Sequence, residues 1–230
     1  MDTYQANPEK KLNITVNGIE WMRIPVRTHV IGENDNICEV AAKYPAPLMQ
    51  DGDLLFISEK CVACTQKRAI PMKDIKPRKL AVFLSHYVYK SPYGIGLGIP
   101  ETMEMALREC GVPRILFAAA ISVIGKILGK RGWFYDVAGY RAKSIDGPTK
   151  NTIPPYNEYV VLGPINPDKI AGEISAKIGH PVAIVDANDF NVDILGASQG
   201  VDRAFVAAAI KDNPLGQSHQ QTPMGILRKA

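Results

Sequence analysis

The sequence predicts an α+β fold of mixed sheets with flanking helices, with a mixed α/β arrangement as the alternative. Three observations predict it. Strand-like and helix-like segments alternate irregularly, with no internal repeat and no low-complexity stretch. At 230 residues the chain is long enough to bury a real core, as one large domain or two small ones. A composition of 46% hydrophobic and 22% charged residues is that of a globular protein.

The elements follow in order. Residues 1–11 are polar and read as a loosely held tail. Residues 12–18 alternate and stop at Asn17-Gly18, which predicts a strand and a hairpin turn into a second strand at 19–26. Residues 34–44 fit a helix that Pro45 and Pro47 end. A turn at 50–53 leads to a buried strand at 54–58, and the chain is expected to stay extended through Val62. Residues 78–89 are apolar and aromatic and fit either type. Residues 91–98 form a glycine-rich loop before a helix at 100–109, with Pro100 in its first turn and Gly111 beyond its end. Residues 112–130 fit a helix, or a strand and then a helix, and 133–142 read as a strand. A proline-containing loop and short strand cover 151–163. Asn166 as cap and Pro167 at the first position open a helix through Ile178. A strand at 181–185, a helix at 201–210 and a short strand at 225–228 complete the chain. Beyond the tail, 12–230 reads as one unit, open to division into two subdomains.

The net charge of +4 suits an anionic ligand, but lysines and arginines are scattered apart from a cluster at 126–131. No basic stripe with interleaved aromatics is present, so nucleic acid is not an expected partner. The polar N-terminus lacks the apolar region of a signal peptide. No window reaches about 18 apolar residues, so no membrane span or membrane partner is expected, and the expected location is the cytoplasm. The cysteines are Cys38, Cys61, Cys64 and Cys110. Cys61 and Cys64 have redox or zinc spacing. In an extended segment, however, they would face opposite sides, and no second pair completes a zinc set. Buried thiols in a reducing compartment are the expectation.

Two acidic stretches, 142–149 and 182–189, carry the chemistry. Asp186 ends a strand-like run, and Asp146 precedes Gly147-Pro148, which stops any regular element. Carboxylates at strand ends suit a hard cation, which phosphate chemistry needs. The alternative is a pair of plain turns, since Asp and Asn readily form Asx-turns and caps. Gly94, Gly96 and Gly98 could cradle phosphate through backbone N–H groups. Their spacing is neither a dinucleotide fingerprint nor a P-loop, and Glu101 and Glu104 would repel an anion there. The amide-rich stretch 213–223 reads as a surface loop or a ligand contact. His29, His86, His180 and His219 have no partners at ligand spacing, and no Ser/Cys-His set is visible, so the catalytic residues are left open.

In this order the pieces resemble the coenzyme F-420 gamma-glutamyl ligase family, from about Ile24 to Arg228. Residues 24–28 (Ile-Pro-Val-Arg-Thr) are similar to its nucleotide-contacting segment. Residues 51–60 are similar to its Asp-Gly-Asp, strand, Ser-x-Lys signature. Residues 144–149 stand where the family has Gly-Ile-Asp-x-Ser-Asn, and 185–187 where it has Thr-Asp-Thr/Ser. Residues 162–168 resemble its Asp-Pro-Asp lead into a helix, and 216–223 its tail motif.

The resemblance implies joining of L-glutamate to a small-molecule carboxylate through an acyl phosphate, with GTP (or ATP) and Mg²⁺ or Mn²⁺. It implies Asp146, Asp186 and Asn188 as metal ligands. It also implies Pro25, Arg27, Glu59, Lys60 and Thr149 as nucleotide contacts, in a two-part α+β homodimer. The sequence departs from the pattern as a divergent branch would. Cys64-Thr65-Gln66-Lys67-Arg68 replaces a lysine and Glu-Gly-Arg, Thr149 replaces Asn, and Ala187 replaces a hydroxyl ligand. The segment after Asp186 is also shorter. Two alternatives stay open: a non-catalytic protein that binds a nucleotide or flavin-like ligand on the same fold, and a metal-dependent phosphohydrolase.

Overall fold

The computed structural model describes residues 4–88, 95–130, 132–149, 152–188, 192–216 and 219–230. In chain order its strands and α-helices are β1 (Asn13–Val16), β2 (Ile19–Val26), α1 (Ile37–Lys43), β3 (Leu54–Ser58), α2 (Glu59–Thr65), β4 (Ala69–Pro71), α3 (Lys79–Ser85), α4 (Pro100–Cys110), α5 (Val112–Ile127), α6 (Trp133–Ala138), α7 (Tyr140–Lys143), β5 (Tyr159–Val161), α8 (Pro167–Ile178), β6 (Val182–Ala187), β7 (Val192–Ala197), α9 (Arg203–Ala209) and β8 (Met224–Lys229). The fold is α+β, with a mixed sheet and flanking helices. The chain divides into two compact units: the first runs up to Lys67 and resumes at Pro164, and the second is Arg68–Gly163.

The first unit is built on one sheet in the order β1-β2-β8-β3-β6-β7. Its β1–β2 hairpin closes on Asn17 (φ 52) and Gly18 (φ 77), the left-handed pair that a tight hairpin turn needs. Alternate residues of the central strands enter two cores. Ile24, Leu55, Ile57, Val182 and Ile184 pack with Val40 of α1, Val62 of α2 and Ile174 of α8. Phe56, Ala183, Val185 and Leu227 pack with Val206 and Ala209 of α9. Burial on both faces explains why β3 reads as an unbroken apolar run. Gly225 is required where β8 crosses β3, because a Cβ there would collide with the Phe56 ring.

The first unit departs from the sequence expectations at three places. The chain does not stay extended through Val62: it turns helical at Glu59, which buries Cys61, Val62 and Cys64 on the sheet. On a helix the two cysteines share a side instead of opposing each other. Burial pushes the Cys61 thiol far above its ordinary range, and its Sγ–H donates to the Ser58 carbonyl oxygen at 3.0 Å, so it is a packing residue. Asn166 is the cap residue of α8 and Pro167 its first residue, as expected, but Asn166 caps through a left-handed backbone (φ 49) without a side-chain bond. Strand β7, which had no counterpart in the sequence reading, pairs antiparallel with β6.

In the second unit, β4 pairs antiparallel with β5. Leu97, Met103, Leu107, Ile115 and Val160 lie in its core. Residues 133–142 are not a strand. They form α6 and α7, entered through Gly132 (φ 94) and broken at Gly139 (φ 85). Trp133 packs over Gly125, where a Cβ would approach the indole to 3.1 Å. Helices α4 and α5 meet at 117° across Gly111, and no single helix among the described residues is long and apolar enough to cross a membrane.

Candidate functional site

Strand direction in the first unit gathers most of the candidates. β3 and β6 are parallel, while β2 and β3 are each antiparallel to β8. β2, β3 and β6 therefore run the same way and end at one edge of the sheet. The register is tight there: Ser58 pairs with Val185, while Val26 and Ile57 both pair with Met224. Pro25 lies in the last residues of β2 and Arg27 follows the strand, Glu59 and Lys60 open α2 beyond β3, and Asp186 lies at the end of β6 with Asn188 just after it. Carboxyl ends of parallel strands are favoured positions for ligands.

The groups at this edge differ in exposure. Arg27 and Lys60 are exposed, Asp186 and Asn188 are half-buried, and Glu59 is buried. Glu59 begins α2, where the helix N-terminus favours a negative charge. The amide-rich segment is tied to the same edge. The Gln221 amide donates to the Thr28 carbonyl oxygen at 2.7 Å, and the Ser58 N–H donates to the Pro223 carbonyl oxygen at 2.8 Å. Asn7 is buried beneath this segment and donates to Thr222 Oγ1 at 2.8 Å. Gln217 and Ser218 lie outside the described residues.

The structure adds a carboxylate that sequence reasoning missed. Asp193 on β7 stands directly opposite Asp186 on β6. Carboxylates opposite one another on neighbouring strands are placed where they could share a cation. Paired carboxylates are the hard-oxygen donors that Mg²⁺ or Mn²⁺ takes, with the remaining positions left to water or phosphate. Among the described residues no group of three or more His, Cys, Asp or Glu assembles. The available signal was the alternation of Val192, Asp193 and Ile194, hidden by the polar connection before it.

A second missed feature lies two residues beyond Arg27. His29 Nε2 is 2.9 Å from Asp35 Oδ1, and its Nδ1 is 2.8 Å from the Tyr44 hydroxyl. The Gly32 N–H donates to Asp35 Oδ2 at 2.7 Å. Burial pushes the Asp35 carboxyl up, but the Gly32 N–H and His29 outweigh it and hold it below the usual range. Spacing alone could not find this chain of groups, because Tyr44 comes from the end of α1.

Asp146 and Thr149 belong to the second unit. The Asp146 N–H donates to the Val161 carbonyl oxygen at 2.8 Å, and the reverse bond is 2.9 Å, which fixes Asp146 beside β5. A Cβ on Gly147 would press on Ile95 and Thr102 at 3.3 Å, so glycine lets this turn lie against α4. The Thr149 hydroxyl pairs with that of Thr152 at 2.7 Å. Of the glycine-rich loop, 91–94 lie outside the described residues; the Gly98 N–H closes a turn onto the Ile95 carbonyl oxygen at 2.9 Å. Glu104 is buried and bonded to Arg78 and Arg108 at 2.9 and 2.8 Å, so its charge is answered locally.

Two of the family-like motifs hold the fold together. Asp53 of the Asp-Gly-Asp turn is buried against Arg228, with contacts of 2.6 and 3.0 Å. Asp168 accepts the Ala197 N–H at 2.9 Å and pairs with Arg203, clamping α8 to β7.

No curated protein matches the chain. The family described as F420-0:Gamma-glutamyl ligase matches residues 25–188, a span that contains all eight candidate residues named from the sequence. That match covers well over half of the sequence, and the chain belongs to the F420-0:gamma-glutamyl ligase family.

Proposed function

We propose that this family member is an amide ligase that joins L-glutamate to a small-molecule carboxylate, with GTP or ATP as co-substrate, Mg²⁺ or Mn²⁺ as cofactor, and a homodimer as the working form. The observation that carries this reading is the convergence of Arg27, Glu59, Lys60 and Asp186 at one sheet edge, with Asp193 opposite Asp186. A carboxylate is a poor acylating agent, because oxide is a poor leaving group. Transfer of the terminal phosphoryl group to it gives an acyl phosphate, and attack by the glutamate amine then forms the amide and releases phosphate.

On this reading Asp186 and Asp193, with Asn188 beside them, hold the divalent cation. When bound, the cation offsets charge on the nucleotide phosphates. Arg27 and Lys60 are the cations at the edge that meet those phosphates, and Pro25 and Glu59 lie close to the nucleotide. Asp146 and Thr149 are proposed as further metal and nucleotide contacts. A second reading has one observation in its favour. Ala187 stands where the family carries a hydroxyl ligand, and it packs against the α9-side core. That suits a protein that binds a nucleotide or flavin-like ligand without turnover.

Thermal melting with GTP, ATP and GDP, each with and without Mg²⁺ or Mn²⁺, tests the site. A ligand at about one hundred times its dissociation constant stabilises by ~2.7 kcal/mol, an easily read shift. The expected result is a metal-dependent shift with a nucleoside triphosphate. Asp186→Asn is expected to lose the metal-dependent part while melting normally without ligand. No shift with any combination would contradict the nucleotide site.

A further inference from the structure

Helix α5 shows solvent a face with no polar side chain on it. Leu116, Phe117, Val123, Ile124 and Ile127 are between 43% and 79% exposed. Pro113 and Ala120 fall on the same stripe and are also exposed. Their spacing of three and four residues puts them on one side of the helix, opposite the buried Ile115, Ala118 and Gly125. The stripe presents on the order of 600 Å² of apolar surface, the upper end of what a monomer leaves uncovered. It also has an aromatic neighbour. Lys126 Nζ donates to the Tyr87 carbonyl oxygen at 3.3 Å, and the exposed rings of Phe83 and Tyr87 lie 5.1 Å apart beside it.

Charge decides between occupants. Residues 111–135 contain Arg114, Lys126, Lys130 and Arg131, with no Asp or Glu. The second unit as a whole, 68–163, carries fourteen lysines and arginines against seven acidic residues, a net charge of +7. The rest of the chain is therefore net −3, since the whole is +4. A second copy meeting this face through the same stripe would set Arg114 near Lys126 of its partner, and that repulsion leaves the proposed homodimer to form through another surface. An anionic bilayer meets both properties at once: the stripe enters the headgroup region and the basic rim faces the lipid phosphates.

We propose that α5 docks the protein on the surface of an anionic lipid bilayer, lying flat in the headgroup region and not crossing it. Leu116, Phe117 and Ile124 insert, and Lys126 and Lys130 remain at headgroup level beside them. The proposal is independent of the ligase reading, because none of these residues belongs to the candidate site.

Vesicle flotation with the full chain tests it. Binding to phosphatidylglycerol/phosphatidylcholine vesicles is expected, with little binding to phosphatidylcholine alone and weakening as salt rises. Phe117→Glu is expected to lower the bound fraction at least tenfold at equal lipid, with no change in nucleotide-dependent melting. Ile127→Gln, at the exposed end of the helix, gives the same readout in reduced form should Phe117→Glu fail to fold. Sedimentation without lipid covers the other occupant. A dimer that Phe117→Glu converts to monomer, together with no vesicle binding, would overturn the lipid assignment in favour of a second copy. Vesicle binding that neither substitution alters would overturn the role of α5.

Discussion

Asp212→Ala is expected to destabilise the first unit by about 2 kcal/mol: it leaves a buried guanidinium without its counter-ion, and water at the 41%-exposed Asp212 position takes up part of that cost. Arg23 is 1% exposed. Its guanidinium donates to both Asp212 carboxylate oxygens, to the Lys11 carbonyl oxygen at 2.6 Å and to the Ala209 carbonyl oxygen at 3.3 Å. The two carbonyl oxygens remain in the variant, but neither carries a full charge. Burial pushes the Asp212 carboxyl up, and Arg23 outweighs it, so the carboxyl stays ionised below its ordinary range. Urea denaturation is the check, with a lower midpoint at unchanged slope as the expected result. Arg23→Met combined with Asp212→Ala is expected to recover much of the loss, since the stranded charge is then gone. A midpoint unchanged by Asp212→Ala would show that solvent, not Asp212, answers the Arg23 charge.

Glu104→Gln is expected to cost about 2 kcal/mol in the second unit and to flatten its response to acid. Glu104 is 2% exposed, while Arg78 and Arg108 are near 45% and 44%. Water therefore takes up part of what the arginines lose, and the cost falls below that of a fully buried pair. Burial pushes the Glu104 carboxyl up; the bonds from the Arg78 side chain and N–H and from Arg108 overcome this and bring it down to about 2. A carboxyl depressed in the folded state adds stability above its unfolded value near 4.5, and that stability is lost as pH falls through about 2. Between those limits the wild-type melting temperature is expected to fall more steeply than that of Glu104→Gln. Parallel pH profiles would show that Glu104 is not the titrating group.

How legible the fold was depended on how local its causes are. The Asn17-Gly18 hairpin was readable because those two residues meet a backbone requirement on their own. β3 was readable because burial on both faces leaves an unbroken apolar run. Helix α2 was hidden because it begins without a break after Ser58 and is only seven residues long. The aromatic residues 133–135 suggested a strand, but the left-handed turns at Gly132 and Gly139 and the packing of Trp133 on Gly125 impose helix. At the candidate site, Glu59 and Asn188 were reached through the family resemblance, whereas Asp186 could be named because it ends a strand-like run. Asp193 could not, because its place opposite Asp186 is set by sheet register. The His29–Asp35–Tyr44 chain was invisible for a related reason, since α1 carries Tyr44 back to a residue fifteen positions earlier.

Amide formation itself is the most direct test of the ligase reading. The protein is incubated with L-glutamate, F420-0 as the carboxylate acceptor, GTP or ATP, and Mg²⁺ or Mn²⁺, and released phosphate and acceptor mass are followed together. Phosphate release is expected to require both glutamate and acceptor, with one glutamyl residue added per phosphate and loss of both signals in Asp186→Asn. Phosphate release that continues without glutamate or acceptor would contradict it in favour of a hydrolase, and nucleotide binding with no turnover would contradict it in favour of a ligand-binding protein.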